Sequence, residues 1–144
     1  MKNNPACQLC RLGQTANTVC SLGSGPRGKV MILDDAPSRK EDATGRPSLS
    51  SAMQELMTIA KEVGLDPDEF HIAHAVSCRP PEGKSPTKGE IAKCTYWVKK
   101  QLAYVNPEVV LIVGNTALQS ITGKPGIAKR QGRPFEQDGR IYLP

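Results

Sequence analysis

The sequence lacks any long apolar run and any segment that resembles a cleavable signal peptide. A membrane-spanning helix needs about 20 predominantly apolar residues, and a signal peptide needs a short apolar region behind a basic start. Both absences predict a soluble, cytoplasmic protein without a membrane role, or a virion-associated one if its origin is viral. The five cysteines are an odd number, which argues against a complete disulfide framework and for a reducing compartment.

Internal repeats and any sign of a second domain are also missing. A chain of 144 residues suits one domain, residues 1–144, that is large enough for one hydrophobic core. Nineteen Lys and Arg against fourteen Asp and Glu give a net charge of +5 and a pI near 9. This balance is compatible with a polyanionic partner, although many basic proteins bind no nucleic acid.

Four of the cysteines form two pairs that suit a metal centre. Cys7 and Cys10 stand in a Cys-x-x-Cys turn, while Cys78 and Cys94 form a wider second pair. A tetrathiolate site for zinc or for an iron–sulfur cluster is the preferred interpretation, and the wide second pair favours the cluster slightly. A redox dithiol or unrelated buried thiols are the alternatives. Cys20 is interpreted as a spare thiol.

The wider cysteine pair flanks a strand, a proline-rich turn and a helix. The apolar run 70–76 predicts a strand that delivers Cys78, and the Arg79-Pro80-Pro81 step ends it because proline has no amide hydrogen for a sheet. Thr87 and Glu90 form a capping box that opens a helix over about 87–105. Apolar residues at helical spacing place Cys94 on its inner face.

Strands and helices alternate along the rest of the chain. The pattern predicts buried strands over residues 29–34 and 108–113 and a last short strand over 140–143. It predicts a polar loop over 35–50. One helix opens at Ser51, and Asn115 is expected to cap a short helix that ends at Gly123. The pattern predicts an α/β fold: a three-layer sandwich around a central, mainly parallel four-stranded sheet.

Motifs across nearly the whole chain resemble one family. In order they are Cys7-x-x-Cys10, Val30–Leu33 leading to Asp35-Ala36-Pro37, Glu41-Asp42 before Gly45-Arg46-Pro47, Cys78-Arg79-Pro80-Pro81, Glu90–Cys94, and Val110–Gly114 with Ala117-Leu118. This order resembles the iron–sulfur uracil-DNA glycosylases, family 4 of that superfamily, also labelled phage DNA-polymerase-related. The resemblance implies a uracil-DNA glycosylase-like fold and a [4Fe–4S] cluster on Cys7, Cys10, Cys78 and Cys94. The cluster would tie the N-terminal loop, 1–28, to the body.

The active-site motifs depart from that family. Where the family has Gly-Glu-Ala-Pro-Gly, whose acid orients the attacking water, this chain has Asp34-Asp35-Ala36-Pro37-Ser38. Ser48 replaces a phenylalanine that stacks on the flipped base, and His74 aligns with the asparagine that reads the uracil edge. The family's His-Pro motif would follow the last strand, and this sequence ends at Pro144. The resemblance therefore predicts a degenerate, C-terminally truncated copy, with Asp35 and His74 as the remaining catalytic candidates.

Basic residues cluster in the loops that should follow the first two strands, where ligands of parallel sheets bind. Ordinary solvated surface explains their charge almost as well, and the family resemblance favours DNA. The candidates for contacts with DNA phosphates are Arg39, Lys40, Arg46, Arg79, Lys84 and Lys88.

The preferred interpretation of these features is an iron–sulfur domain that has lost base excision and binds DNA or a protein partner as a viral or accessory component. An active glycosylase that uses Asp35 and His74 on uracil or another base is the alternative. A third class is a zinc-stabilised structural protein.

Overall fold

The computed structural model describes residues 7–18, 23–47 and 50–144, and at its centre is a five-stranded sheet. The strand order is β2-β1-β3-β5-β4. The strands are β1 (Val30–Asp34), β2 (His71–His74), β3 (Val109–Val113), β4 (Phe135–Gln137) and β5 (Arg140–Leu143). The helices are α1 (Leu12–Thr15), α2 (Arg39–Thr44), α3 (Ser51–Glu62), α4 (Lys88–Val105), α5 (Asn115–Thr122) and α6 (Ile127–Arg130), with single 3₁₀ turns at Pro67–Glu69 and Pro81–Gly83.

The sheet is parallel except at one edge. β1 lies between β2 and β3 and pairs in parallel with both, and β3 pairs in parallel with β5. The expected sheet of four strands gains β4, which pairs antiparallel with β5. Asp138 and Gly139 join these two strands with φ of 51° and 72°, the backbone that a tight two-residue hairpin turn requires. An Asp-Gly step between two short strands was the sequence signal for this hairpin.

Capping residues explain where the two long helices begin. Ser50 accepts a hydrogen bond from the Met53 amide and caps α3, one residue before the predicted opening at Ser51. The capping box predicted for α4 is confirmed, since the Thr87 hydroxyl accepts from the Glu90 amide and the Glu90 carboxylate accepts from the Thr87 amide. α4 ends at Val105.

Two local predictions were wrong. The stretch 35–50, expected to be a loop, contains α2, because Ser38 and Glu41 form a second capping box. Asn115 does not cap α5: Gly114 holds the N-cap position. The Asn115 side-chain oxygen instead accepts from the amides of Gly126 and Ile127, so it fastens the basic loop that contains α6 to the start of α5.

Side chains of alternate strand residues enter the cores on the two faces of the sheet. Met31 and Leu33 of β1 pack with Val98 and Leu102 of α4 and with residues of α5. Ile32, between them in sequence, packs with Met53 and Ala60 of α3 on the opposite face. Helices therefore cover both faces, which confirms the α/β fold with a mainly parallel central sheet. Among the described helices, none has the length and apolarity to cross a membrane.

Candidate active-site pocket and cysteine site

An open pocket lies where β1 and β2 end, at the carboxyl edge of the parallel strands, as ligand sites of such sheets do. Three of the six basic residues predicted to contact DNA line it: Arg39, Arg79 and Lys84. The other lining residues are Asp35, Ala36, Pro37, Ser38, Pro80, Gly83, Ser85, Pro86 and Thr116. A single carboxylate, that of Asp35, thus faces a cavity with three cationic side chains.

Asp35 is half-buried and held against the start of α5. Its Oδ1 accepts a hydrogen bond of 2.8 Å from the Ala117 amide. Burial raises the pKa of Asp35, while the amides of Ala117 and Thr116 act in the opposite direction. The close contact of the Asp35 side chain with the start of α5 depends on Gly114, whose φ is 102°, because a Cβ there would overlap the Asp35 carboxylate. The side chain is therefore fixed in position at the pocket wall.

His74 is fully buried and does not line this pocket. It lies in a closed crevice whose other lining residues are Thr18, Pro37, Glu41, Asp42 and Pro47. Its Nε2 is 3.5 Å from Oε1 of Glu41, which is longer than a well-formed hydrogen bond. Pro37 lines both cavities. The two catalytic candidates are therefore close in the fold but face different cavities.

Glu41 and Asp42 are buried acids. The sequence analysis named them only as part of the family resemblance and assigned them no role. Burial raises the pKa of Glu41, but the interactions with His74 and Ser38 outweigh it and lower the pKa to about 2. Asp42 accepts hydrogen bonds from the amides of Asn17 and Thr18 and from the Asn17 side chain. Asp42 therefore anchors the N-terminal segment against α2. The signal for both roles was a pair of adjacent acids behind a helix cap.

The remaining site predictions fall elsewhere. Lys40, Arg46 and Lys88 are exposed and do not line the pocket. Lys84, which does, lies 2.6 Å from Oε2 of Glu82. The predictions for Ser48 and for Cys20 lie outside the described residues.

The four predicted metal ligands line one narrow cavity. Cys7, Cys10, Cys78 and Cys94 share it with Leu9, Gly13, Val76, Ser77 and Trp97. None of the four forms a disulfide bond within the described part of the chain.

Two N–H groups already donate to cysteine sulfurs in this cavity. The Ser77 amide donates to Sγ of Cys94 and the Trp97 indole donates to Sγ of Cys7, each at 3.3 Å. Burial raises the pKa of the Cys94 thiol, the Ser77 contacts lower it, and the neighbouring Cys10 and Cys7 raise it further. The cavity thus brings together residues from the N-terminus, the turn after β2 and α4.

The N-terminal segment is held against α4 by one ion pair and one buried side chain. Nε of Arg11 lies 2.7 Å from Oε1 of Glu90. Leu12 is fully buried and packs with Val76, Ile91 and the two cysteines of the body. Burial raises the pKa of Glu90, but its bonds to Thr87 and Arg11 prevail and lower it. These contacts place the Cys-x-x-Cys turn opposite Cys78 and Cys94.

The donor set of this cavity fits a thiolate-bound metal group. A single tetrahedral ion would require four sulfurs about 2.3 Å from one point. Among the described residues, no three His, Cys, Asp or Glu side chains are close enough together to hold one ion. Four cysteine sulfurs, N–H donors to two of them and apolar walls are the chemistry of a site for thiolates.

Comparison with known proteins places this architecture in a family. The family model described as "Uracil DNA glycosylase superfamily" matches residues 21–144. The chain is similar to two proteins named "Type-4 uracil-DNA glycosylase": 29% identical over 90% of this chain to that of Sulfurisphaera tokodaii, and 30% identical over 90% to that of Thermotoga maritima. It is also 26% identical, over 82% of its length, to a "DNA polymerase" of Bacillus phage SP01, of which it covers 13%. The chain therefore belongs to the uracil DNA glycosylase superfamily. It spans 62% and 69% of the lengths of the two type-4 relatives.

Proposed function

We propose that this chain is a [4Fe–4S]-binding uracil-DNA glycosylase-like protein that binds DNA at its basic pocket and has lost useful base-excision activity. The observation that carries the loss of activity is the separation of the two catalytic candidates: Asp35 lines the open pocket, whereas His74 is fully buried in another crevice. The charge of the pocket supports DNA binding, since Arg39, Arg79 and Lys84 suit phosphate contacts.

Excision needs more than a carboxylate that orients water. As the glycosidic bond breaks, negative charge develops on the departing base, and a hydrogen-bond donor must be aimed at it. Removal of one such donor typically costs about 100–1000-fold in rate. His74 is the one histidine near the pocket among the described residues, and its imidazole contacts Glu41 instead of the cavity that holds Asp35. Among the described residues, no histidine therefore lines the pocket that holds Asp35.

The cluster part of the proposal rests on the cavity that the four cysteines line together. Cys7, Cys10, Cys78 and Cys94 would hold the cluster, which when bound supplies a structural cross-link between the N-terminal loop and the body. The contacts of Trp97 and Ser77 with sulfur support a site for thiolates, because N–H donors stabilise the charged form. Zinc on the same ligands is the alternative, and it would require the four sulfurs to move closer to one point than they lie in the described structure.

An active glycosylase remains a second candidate because of one observation. Asp35 shares the open pocket with the Arg39 and Arg79 side chains. A guanidinium is a strong charge-assisted donor, so either arginine offers an alternative stabiliser for the departing base anion.

Single-turnover excision separates the two candidates. Protein in excess over single-stranded DNA with one uracil should leave the base in place over a time in which a type-4 enzyme removes it completely. Robust excision that disappears in Asp35→Asn would refute the proposed loss of activity. If excision then persists in His74→Ala but falls in Arg79→Ala, the arginine is the stabilising donor.

Metal content and DNA binding test the other two parts. Anaerobically purified protein should be brown and contain about four irons per chain. A Cys20→Ser variant should retain the iron and a Cys78→Ser variant should lose it. Stoichiometric zinc without iron would refute the cluster. Absence of binding to single- and double-stranded DNA at low salt would refute the DNA role and favour a protein partner.

A further inference from the structure

A row of basic and aromatic side chains runs along the exposed side of α4, outside both sites described above. The buried side of this helix holds Glu90, Ile91, Cys94, Val98, Gln101, Leu102 and Val105. Lys93, Tyr96, Lys100 and Tyr104 are exposed, and their spacing of three or four residues places them in one row on the opposite side. From Lys93 to Tyr104 the row extends about 16 Å along the helix axis.

The two tyrosine rings are exposed to solvent and lie beside cations. Tyr96 is 50% exposed and Tyr104 is 39% exposed. Nζ of Lys100 lies 5.1 Å from the centre of the Tyr96 ring, and the Arg27 guanidinium lies 5.0 Å from that of Tyr104. These residues form a surface that we call the α4 face: Arg27, Lys93, Tyr96, Lys99, Lys100 and Tyr104.

The charge of the α4 face is not neutralised from its own helix. Glu90 is the one acidic residue of α4, and it is 5% exposed with its carboxylate paired to Arg11. Lys88, the first residue of α4, and Lys84 in the preceding loop are also basic. Lys84 lines the open pocket and is paired with Glu82, so it belongs to that site and not to the α4 face.

We propose that the α4 face binds single-stranded DNA, with bases stacked on Tyr96 and Tyr104 and phosphates contacted by the neighbouring lysines and arginine. Cations alone would suit any polyanion, but two open rings spaced along a basic row add a stacking surface for unpaired bases. Every base has a π-face, so the binding is independent of sequence. Bases within a duplex are already stacked, so the surface favours single strands. This proposal concerns a surface separate from the pocket and does not depend on base excision.

The test compares oligo-dT with an abasic oligomer of the same length and charge, both bound to the complete protein in its native metal state. Wild-type protein should bind oligo-dT more tightly. The Tyr96→Ala/Tyr104→Ala double variant should lose at least about fivefold in oligo-dT affinity per ring, with abasic binding unchanged. The matched control is Tyr96→Phe/Tyr104→Phe, which keeps both rings and should bind as wild type does, with the same melting temperature.

A second measurement isolates the charges. Lys93→Ala/Lys99→Ala/Lys100→Ala should reduce the slope of log affinity against log salt by about 2, at roughly 0.7 per phosphate contact. Lys61→Ala, an exposed lysine of α3, is the control and should leave the slope unchanged.

Several outcomes overturn the proposal. Equal affinity of the wild type for oligo-dT and for the abasic oligomer would show that base stacking does not contribute to binding. Unchanged oligo-dT affinity of the Tyr96→Ala/Tyr104→Ala double variant would show the same. If poly-glutamate or anionic vesicles compete for the α4 face as efficiently as oligo-dT does, the surface binds anions in general and not single-stranded DNA. Binding that depends on Arg39 and Arg79 but not on Tyr96 refutes this inference and leaves the pocket function intact. Absence of any DNA binding refutes both.

Discussion

Gly114→Ala should disrupt the pocket because it displaces the carboxylate of Asp35. Gly114 has φ of 102° and ψ of 167°, a conformation that is essentially restricted to glycine and costs other residues about 1–3 kcal/mol. A Cβ there would also overlap the Asp35 side chain. Asp35 must then move and give up its 2.8 Å bond to the Ala117 amide. A hydrogen bond to a charged group contributes about 1.5–3 kcal/mol.

The two effects together predict a loss of about 3–5 kcal/mol in the free energy of unfolding. The matched control is Gly123→Ala at the other end of α5. Gly123 also has a positive φ, 77°, but nothing lies within 4 Å of its added Cβ. Its substitution should cost only the backbone strain, about 1–2 kcal/mol. Urea unfolding of all variants, prepared in the same metal state, measures the difference.

A double-mutant cycle separates the carboxylate contact from the backbone strain. In an Asp35→Ala background the overlap is gone, so Gly114→Ala should cost only about 1–3 kcal/mol for its conformation. The coupling energy between the two positions should therefore be about 2 kcal/mol. Equal losses for Gly114→Ala and Gly123→Ala, or a coupling energy near zero, would refute the claim that Gly114 exists to admit the Asp35 side chain.

Three further predictions follow from the same contacts. The folded pKa of Glu41 is about 2, below its ordinary 4.5, so Glu41 stabilises the fold above pH 4.5 and this contribution is lost as pH falls toward 2. The difference in urea midpoint between wild type and Glu41→Gln should therefore shrink from pH 6 to pH 3. A difference that stays constant would contradict this prediction. Trp97→Phe removes the indole donor from the cysteine site, so protein that carries the proposed cluster should release iron faster in air with an unchanged circular dichroism spectrum. Equal release rates would show that the contact has no role. Arg39→Ala/Arg79→Ala/Lys84→Ala should lower the salt slope of single-stranded DNA binding by about 2, and an unchanged slope would exclude the pocket as the phosphate site.

Local chemistry in the sequence was enough to predict most of the secondary structure. The capping box of Thr87 and Glu90 and the apolar run 109–113 act over a few residues, so their outcome does not depend on distant parts of the chain. The alternation of strands and helices then implied a parallel sheet with helices on both faces. The errors were also local: the Ser38–Glu41 capping box lies in the stretch interpreted as a loop, and the Asp138-Gly139 step was not recognised as a hairpin turn.

The arrangement of the sites needed the tertiary structure. The family resemblance made both Asp35 and His74 catalytic candidates, and packing alone decided that one faces an open pocket and the other a closed crevice beside Glu41. The outer face of α4 is similar. Helical spacing aligns Tyr96 with Tyr104, but the position of Arg27 over the second ring joins residues far apart in the chain. Such contacts depend on how whole elements pack, which no local pattern encodes.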